Sequence, residues 1–241
     1  MDEVLNPFAG VGGFVLAGGQ SSRMGRDKAL LELAGKPLIE HAVAKLRRVC
    51  SEVAVCSGNP LLGRYARLIP DVHAGCGPMG AMEAALLRAR YHWNLFLPVD
   101  VPFLPTVYLS AWMRLMDFRR LEGARAMIWT VDGRPQPAVA LVHRDVGPYL
   151  GAAIERGEYK LRPVLENAAN LVAVGGGFVA GSGFLMLPYW REFTTGTGSP
   201  AAEPWRALTD AQRGYREHWF DNLNTPGEFA EAERHTDALD T

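Results

Sequence analysis

The sequence is short of cysteine, of net charge and of long apolar runs, and each shortage excludes something. Its three cysteines, Cys50, Cys56 and Cys76, fit neither a paired disulfide framework nor a C-x-x-C metal knuckle, and read as reduced thiols in or near the core. With 25 Lys+Arg against 26 Asp+Glu the formal net charge is −1. No basic stripe is present to drive binding to a phosphate backbone, so nucleic acid is not an expected partner. Nothing approaches the ~20 apolar residues of a membrane span. The opening Met1-Asp2-Glu3 lacks the positive n-region of a secretory signal. No membrane partner is expected, and a reducing cytoplasm is the expected home. The six histidines, His41, His73, His92, His143, His218 and His235, show no metal-ligand spacing.

What is present is an ordinary globular balance, 48% apolar and 21% charged over 241 residues, enough to bury one substantial core. Short apolar, β-branched runs alternate with longer amphipathic segments, the pattern of βα units building a mostly parallel sheet. Strands are predicted at 14–16, 53–55, 66–69, 95–99, 126–130, 138–142 and 171–174. Pro37 opens a predicted helix as its first residue, with Leu38, Ala42 and Leu46, and Ile39, Val43 and Cys50, along one broad face. Pro78 and Pro105 open two more. The helix from Met79 to Ala89 is apolar nearly all round and is expected to be buried. The glycine- and threonine-rich stretch within 175–215 reads as a loop or insertion, and the polar residues from about Glu231 read as a frayed end.

The most informative stretch is Phe14-Val15-Leu16-Ala17-Gly18-Gly19-Gln20-Ser21-Ser22-Arg23-Met24-Gly25-Arg26-Asp27-Lys28. An apolar strand runs into paired glycines, then small polar residues, then spaced cations. Gly18 and Gly19 remove the Cβ atoms that keep a phosphate from backbone N–H groups, and successive N–H groups in such a turn form an anion-binding concavity. Arg23 and Lys28 supply a planar fork and a compact point charge to neutralise a triphosphate. The stretch is not a Walker A loop, because Gly25 is followed by Arg26, and it lacks G-x-G-x-x-G. Asp100 follows Leu95-Phe96-Leu97-Pro98-Val99, at the carboxyl end of a strand, where ligands of open α/β sheets gather. One carboxylate there suffices to bring in Mg²⁺ together with nucleotide phosphates. Asp71, after the 66–69 strand, has two readings: a turn aspartate, or a second acid facing the same crevice.

These residues together resemble the molybdenum cofactor guanylyltransferases, the MobA-like branch of the nucleotidyltransferases. The opening string is similar to that family's L-A-G-G-x-S-x-R-M-G-x-D-K signature, and the similarity continues through Gly35-Lys36-Pro37-Leu38, Pro70-Asp71 and Gly77-Pro78-Met79-Gly80-Ala81. Further on it includes Leu97-Pro98-Val99-Asp100-Val101-Pro102-Phe103, Pro137-Ala138-Val139-Ala140-Leu141 and Asn222-Leu223-Asn224-Thr225-Pro226. The resemblance implies a single domain over 1–241 with a three-layer α/β/α, Rossmann-like nucleotidyltransferase fold. It implies that Leu16, Ala17, Gly18 and Gly19 contact GTP, that Lys28 meets its phosphates, that Asp71 also contacts it, and that Asp100 binds Mg²⁺. Arg23, Lys28 and Asp100 would carry catalysis. Asn222 and Asn224 would lie near the acceptor, molybdopterin carrying molybdenum, with the guanine dinucleotide cofactor and pyrophosphate as products. Molybdoenzymes or cofactor-delivery proteins would be its partners. Related scaffolds leave two alternatives, a cytidylyl- or sugar-phosphate nucleotidyltransferase and a catalytically silent nucleotide-binding module. The chain departs from the family at Cys56, where Asn is frequent, in a long segment between Val174 and Phe220, and in a basic stretch matched only by Lys160 and Arg162.

Overall fold

The computed structural model describes residues 10–18, 27–115, 123–189 and 206–240. The elements run β1 (Val11–Leu16), β2 (Glu32–Leu33), β3 (Lys36–Pro37), α1 (Leu38–Val49), β4 (Glu52–Cys56), β5 (Arg67–Ile69), α2 (Gly77–Leu87), β6 (Trp93–Pro98) and α3 (Thr106–Leu115). They continue as β7 (Ala126–Val131), β8 (Arg134–His143), α4 (Gly147–Glu155), α5 (Leu161–Gly175), β9 (Phe184–Pro188), α6 (Asp210–Gly214) and α7 (Pro226–Ala232). Seven strands form one sheet in the order β5-β4-β1-β6-β8-β7-β9, and β2 and β3 form a separate hairpin. Every pairing in the large sheet is parallel except the two made by β8.

Side chains alternate strictly across this sheet, as a period of two requires. Val11, Val15, Val55, Leu95, Leu97, Met127 and Leu141 face a core shared with α1 and α3. Phe14, Leu16, Ala54, Cys56, Phe96, Ile128 and Ala140 face a second core shared with α2, α4 and α5. The result is three layers, α/β/α. Strand β1 is buried at all six positions, the expectation for a central parallel strand covered on both faces.

Helix α2 is buried from Met79 to Leu86, as its all-round apolar sequence predicts. The predicted strand at 171–174 is instead the last turn of α5. Leu171-Val172-Ala173-Val174 contains a β-branched run, but over the whole segment the buried residues Leu161, Val164, Leu165, Ala168, Ala169 and Ala173 repeat at helical spacing, leaving Leu171 and Val174 exposed. Pro37 is the residue before α1 rather than its first, with an extended ψ of 145°, and Cys50 caps the other end. Within 175–215, Phe184–Pro188 forms the edge strand β9, which its lack of β-branched residues conceals, and 190–205 lie outside the described residues.

The tail does not fray where its polarity suggests. Residues Glu233–Ala238 continue α7 as 3-10 turns, and Ala238 and Leu239 are buried against the α1/α3 core. Among the described residues, no helix is long and apolar enough to cross a membrane.

One close approach tests this packing. Asn94, in β6, is fully buried and its amide donates to the carbonyls of Tyr91, His92 and Val142 at 3.1, 3.3 and 3.4 Å. A Cβ on Gly12 of β1 would stand 2.6 Å from Asn94 Oδ1. Gly12→Ala is expected to destabilise the fold by about 1–3 kcal/mol through overpacking, read as a lowered urea midpoint; a parental midpoint would show that the two central strands give way freely.

Candidate active site

Four parallel strands deliver their carboxyl ends to one edge. β1 and β6 end in register, Leu16 beside Pro98, and β4 and β5 end beside them with Cys56 beside Ile69. Main-chain bonds knit the segments that leave this edge: Ala17 N–H to Cys56 O at 3.2 Å, Val99 N–H to Leu16 O at 3.0 Å and Ser57 N–H to Ile69 O at 3.1 Å. The chain therefore emerges as adjoining loops that carry Ala17-Gly18, Ser57-Gly58-Asn59, Asp71 and Asp100.

A cleft of ≈ 560 Å³ opens there, bordered by Ala17, Gly18, Asp27, Asn59, Asp71 and Gly77 among others. Its size is that of a small-molecule site. A Cβ on Gly18 would meet only Cys56 O, at 3.7 Å, so nothing in the protein's own packing demands glycine there. The glycine keeps the cleft wall bare.

Asp71 lines the same cleft. Its Oδ1 is buried without a hydrogen-bond partner, and burial, then the nearby Glu83 carboxylate, raises its pKa. The loop that holds it crosses α2 closely: a Cβ on Gly80 would lie 2.8 Å from His73 O and 3.1 Å from Cys76 Cβ. His73 Nδ1 and Glu83 Oε2 are 2.8 Å apart, and this contact holds the imidazole's pKa above its usual range.

Lys28 and Asp100 meet beside the cleft. The Lys28 ammonium donates to Asp100 Oδ2 and to Asn224 Oδ1, both at 2.7 Å, and the two ionic side chains keep only 17% and 19% of their surface. Lys28 is aimed by its neighbour: Asp27 Oδ1 accepts from Ala29 N–H at 3.0 Å to cap the 3-10 turn Lys28–Leu30. The other Asp27 oxygen accepts from the Asn59 amide. Asn224 is held by a capping box at the start of α7, in which Glu228 accepts from the N–H groups of Asn224 and Thr225 while Thr225 Oγ1 accepts from Glu228 N–H. Between them, Leu223 N–H donates to Asp100 O at 3.0 Å.

Of the residues singled out in the sequence, Ala17, Gly18, Asp71, Lys28, Asp100 and Asn224 thus gather around this edge. Leu16 turns its side chain into the core instead. Asn222 is exposed and contributes its carbonyl, which accepts from Asn224 Nδ2 at 3.3 Å. Gly19 and Arg23 lie outside the described residues. Lys160 and Arg162 flank the start of α5, where Arg162 pairs with Glu166 at 3.2 Å.

Sequence reasoning missed Asp27, Ser57, Asn59 and Gly75, all of which line the cleft. Cys56 is fully buried and its thiol pKa is pushed up by burial, so it presents nothing to a ligand. The polar amide at this loop comes three residues later, from Asn59. The Asp-Lys pairing at 27–28 was the available signal for Asp27, since Asp before a helical turn is a capping residue. Among the described residues, no group of three or more His, Cys, Asp and Glu side chains could hold a metal by itself.

The model of the MobA-like NTP transferase domain matches residues 13–172. A molybdenum cofactor guanylyltransferase of Serratia proteamaculans is 35% identical over 176 residues, which cover 68% of this chain and 84% of that protein. One from Yersinia pestis is 34% identical over 161 residues, 64% of this chain and 80% of its own. The solved structure of molybdopterin-guanine dinucleotide biosynthesis protein A from Archaeoglobus fulgidus superposes with a TM-score of 0.64 at 23% identity, covering 95% of this chain and all of that one. The 2-C-methyl-D-erythritol 4-phosphate cytidylyltransferase of Thermus thermophilus shares the fold at a TM-score of 0.54 and 14% identity, covering 93% of this chain and 98% of its own. With the family model matched across most of its strands and the bare glycine wall, lysine and strand-end aspartate gathered at one edge, the chain belongs to the MobA-like NTP transferase family of nucleotidyltransferases.

Proposed function

We propose that the protein transfers GMP from GTP to the terminal phosphate of molybdopterin, releasing pyrophosphate and forming the guanine dinucleotide form of the cofactor. The observation that carries this reading is the meeting of Lys28, Asp100 and Asn224 beside a cleft with a bare glycine wall. The names of the relatives supply the base and the acceptor; the three free thiols suit a reducing cytoplasm.

The acceptor phosphate attacks the α-phosphorus in line, and pyrophosphate leaves. Such chemistry asks for positioning and charge stabilisation more than for a protein nucleophile. Gly18 N–H is the main-chain donor assigned to the phosphates, since Ala17 N–H already donates to Cys56 O. Lys28 exchanges its aspartate for phosphate oxygens, moving positive charge toward the departing pyrophosphate. Arg23 supplies further charge. Asp71, which lines the cleft, accepts from the N–H donors of the guanine edge.

Asp100 is the residue that would hold Mg²⁺. The donor set fits: the ion takes one or two carboxylates and completes its shell with phosphate oxygens and water, and one half-buried carboxylate already holding a cationic partner is on hand. When bound, the metal neutralises phosphate charge.

Two expectations follow from these roles. Asp100→Ala and Lys28→Ala are expected to fold, by circular dichroism, yet to release pyrophosphate about a hundred- to a thousandfold more slowly than the parent, the loss typical of one preorganised contact; near-parental release by either would remove that residue from the mechanism. Asp71→Asn is expected to weaken GTP binding about tenfold or more, as loss of a charged hydrogen-bond acceptor does. The same titration repeated with CTP tests the base, because tighter binding of CTP by the parent would reassign the enzyme to cytidylyl transfer.

A further inference from the structure

Lys45, in the middle of α1, is 2% exposed and lies among apolar side chains. An ammonium in such surroundings is costly, and a methionine of similar length would pack there without that cost. What the lysine does is donate to two main-chain carbonyls, those of Pro102 and Leu104. Both belong to the turn that follows Asp100 and leads into α3. Val101, Phe103 and Leu104 of that turn are buried, so without a donor its carbonyls would stand unsatisfied in the core.

The far side of the same turn is held by the end of the chain. Asp240 accepts from both the N–H and the hydroxyl of Thr106, the first residue of α3, and its other oxygen accepts from the Gln212 amide at 2.9 Å. Burial pulls the Lys45 pKa down to about 8, with Asp240 acting the other way. The two groups therefore sense each other across the turn. The family model stops at residue 172, so this second support comes from sequence outside it.

We propose that Lys45 and Asp240 are positioning residues for Asp100, forming a two-sided clamp on residues 102–106 that fixes the carboxylate at the sheet edge. The clamp rests on the reading of Asp100 as the metal-holding acid. Neither residue touches the nucleotide cleft, whose walls come from the β1, β4 and β5 loops and the start of α2.

The test is hydrogen exchange and Mn²⁺ binding on the full chain. In Lys45→Met, backbone amides of 100–106 are expected to exchange at least about tenfold faster while β1 and β4 keep parental protection. Mn²⁺ affinity, read by paramagnetic resonance with GTP present, is expected to fall several-fold, and GTP affinity measured in chelator to stay parental. A purely structural role would move all three together. Asp240→Asn, which changes no side-chain volume, is expected to move the same two readouts in the same direction, and it carries the measurement if the Met variant does not fold. The double variant should be no worse than Lys45→Met alone. Parental exchange over 100–106 with parental Mn²⁺ affinity in the single variants, or single effects that simply multiply, would overturn the clamp. A parent that shows the exchange pattern yet never releases pyrophosphate from GTP would sink the guanylyl-transfer reading and leave the clamp standing.

Discussion

The ion pair between Lys28 and Asp100 is the contact on which the rest of the site depends. At 2.7 Å, with less than a fifth of either side chain exposed, neither charge is fully solvated, and removing Lys28 would take the cation from a largely buried carboxylate. The pair forms because β1 and β6 are neighbours that end in step, so that a lysine returning after the β1 loop meets an aspartate two residues past β6. In the function proposed, a triphosphate would offer Lys28 a second set of oxygens, and a divalent cation would offer Asp100 a second partner. The protein thus holds these two charges against each other at the sheet edge.

Around this pair the fold separates two tasks. The loops after β1, β4 and β5, with the start of α2, shape a cleft wall that is mostly glycine and small polar residues, and the close crossing at Gly80 presses the Asp71 loop against α2. The turn after β6 and residues 206–240 hold the acid instead, through Leu223 on the Asp100 carbonyl, Asn224 on Lys28 and Asp240 on Thr106. An aromatic cluster of Tyr108, Trp129, Tyr189, Trp219 and Phe220 anchors that final segment, with ring centroids 5.0–6.0 Å apart. The cleft walls and the support of Asp100 are therefore built from different parts of the chain.

The layered fold was legible because its strands are short apolar runs between helical periods, and six of the predicted strands fall on observed ones. Where a run was both short and helical in wider context, as at 171–174, four residues misled and fifteen decide. β9 was hidden by its Leu- and Met-rich sequence between a glycine turn and a proline. Of the candidate site, the placement of the glycine turn, Asp71 and Asp100 at one edge could be read because each follows the end of a parallel strand. Asn59 could not, since its contact with Asp27 joins loops 32 residues apart, and nothing in the sequence around Lys45 marks the turn it supports. The expected fraying at the C-terminus failed for a related reason: polarity there serves caps and a clamp instead of solvent.

The most direct measurement is a crystal structure of the full chain with GTP and Mg²⁺. The account predicts the triphosphate lying along Ala17 and Gly18, Lys28 turned from Asp100 to phosphate oxygens, the metal on the Asp100 carboxylate and the base against Asp71. A nucleotide bound elsewhere, or an Asp100 still locked to Lys28 with no metal on it, would contradict that account.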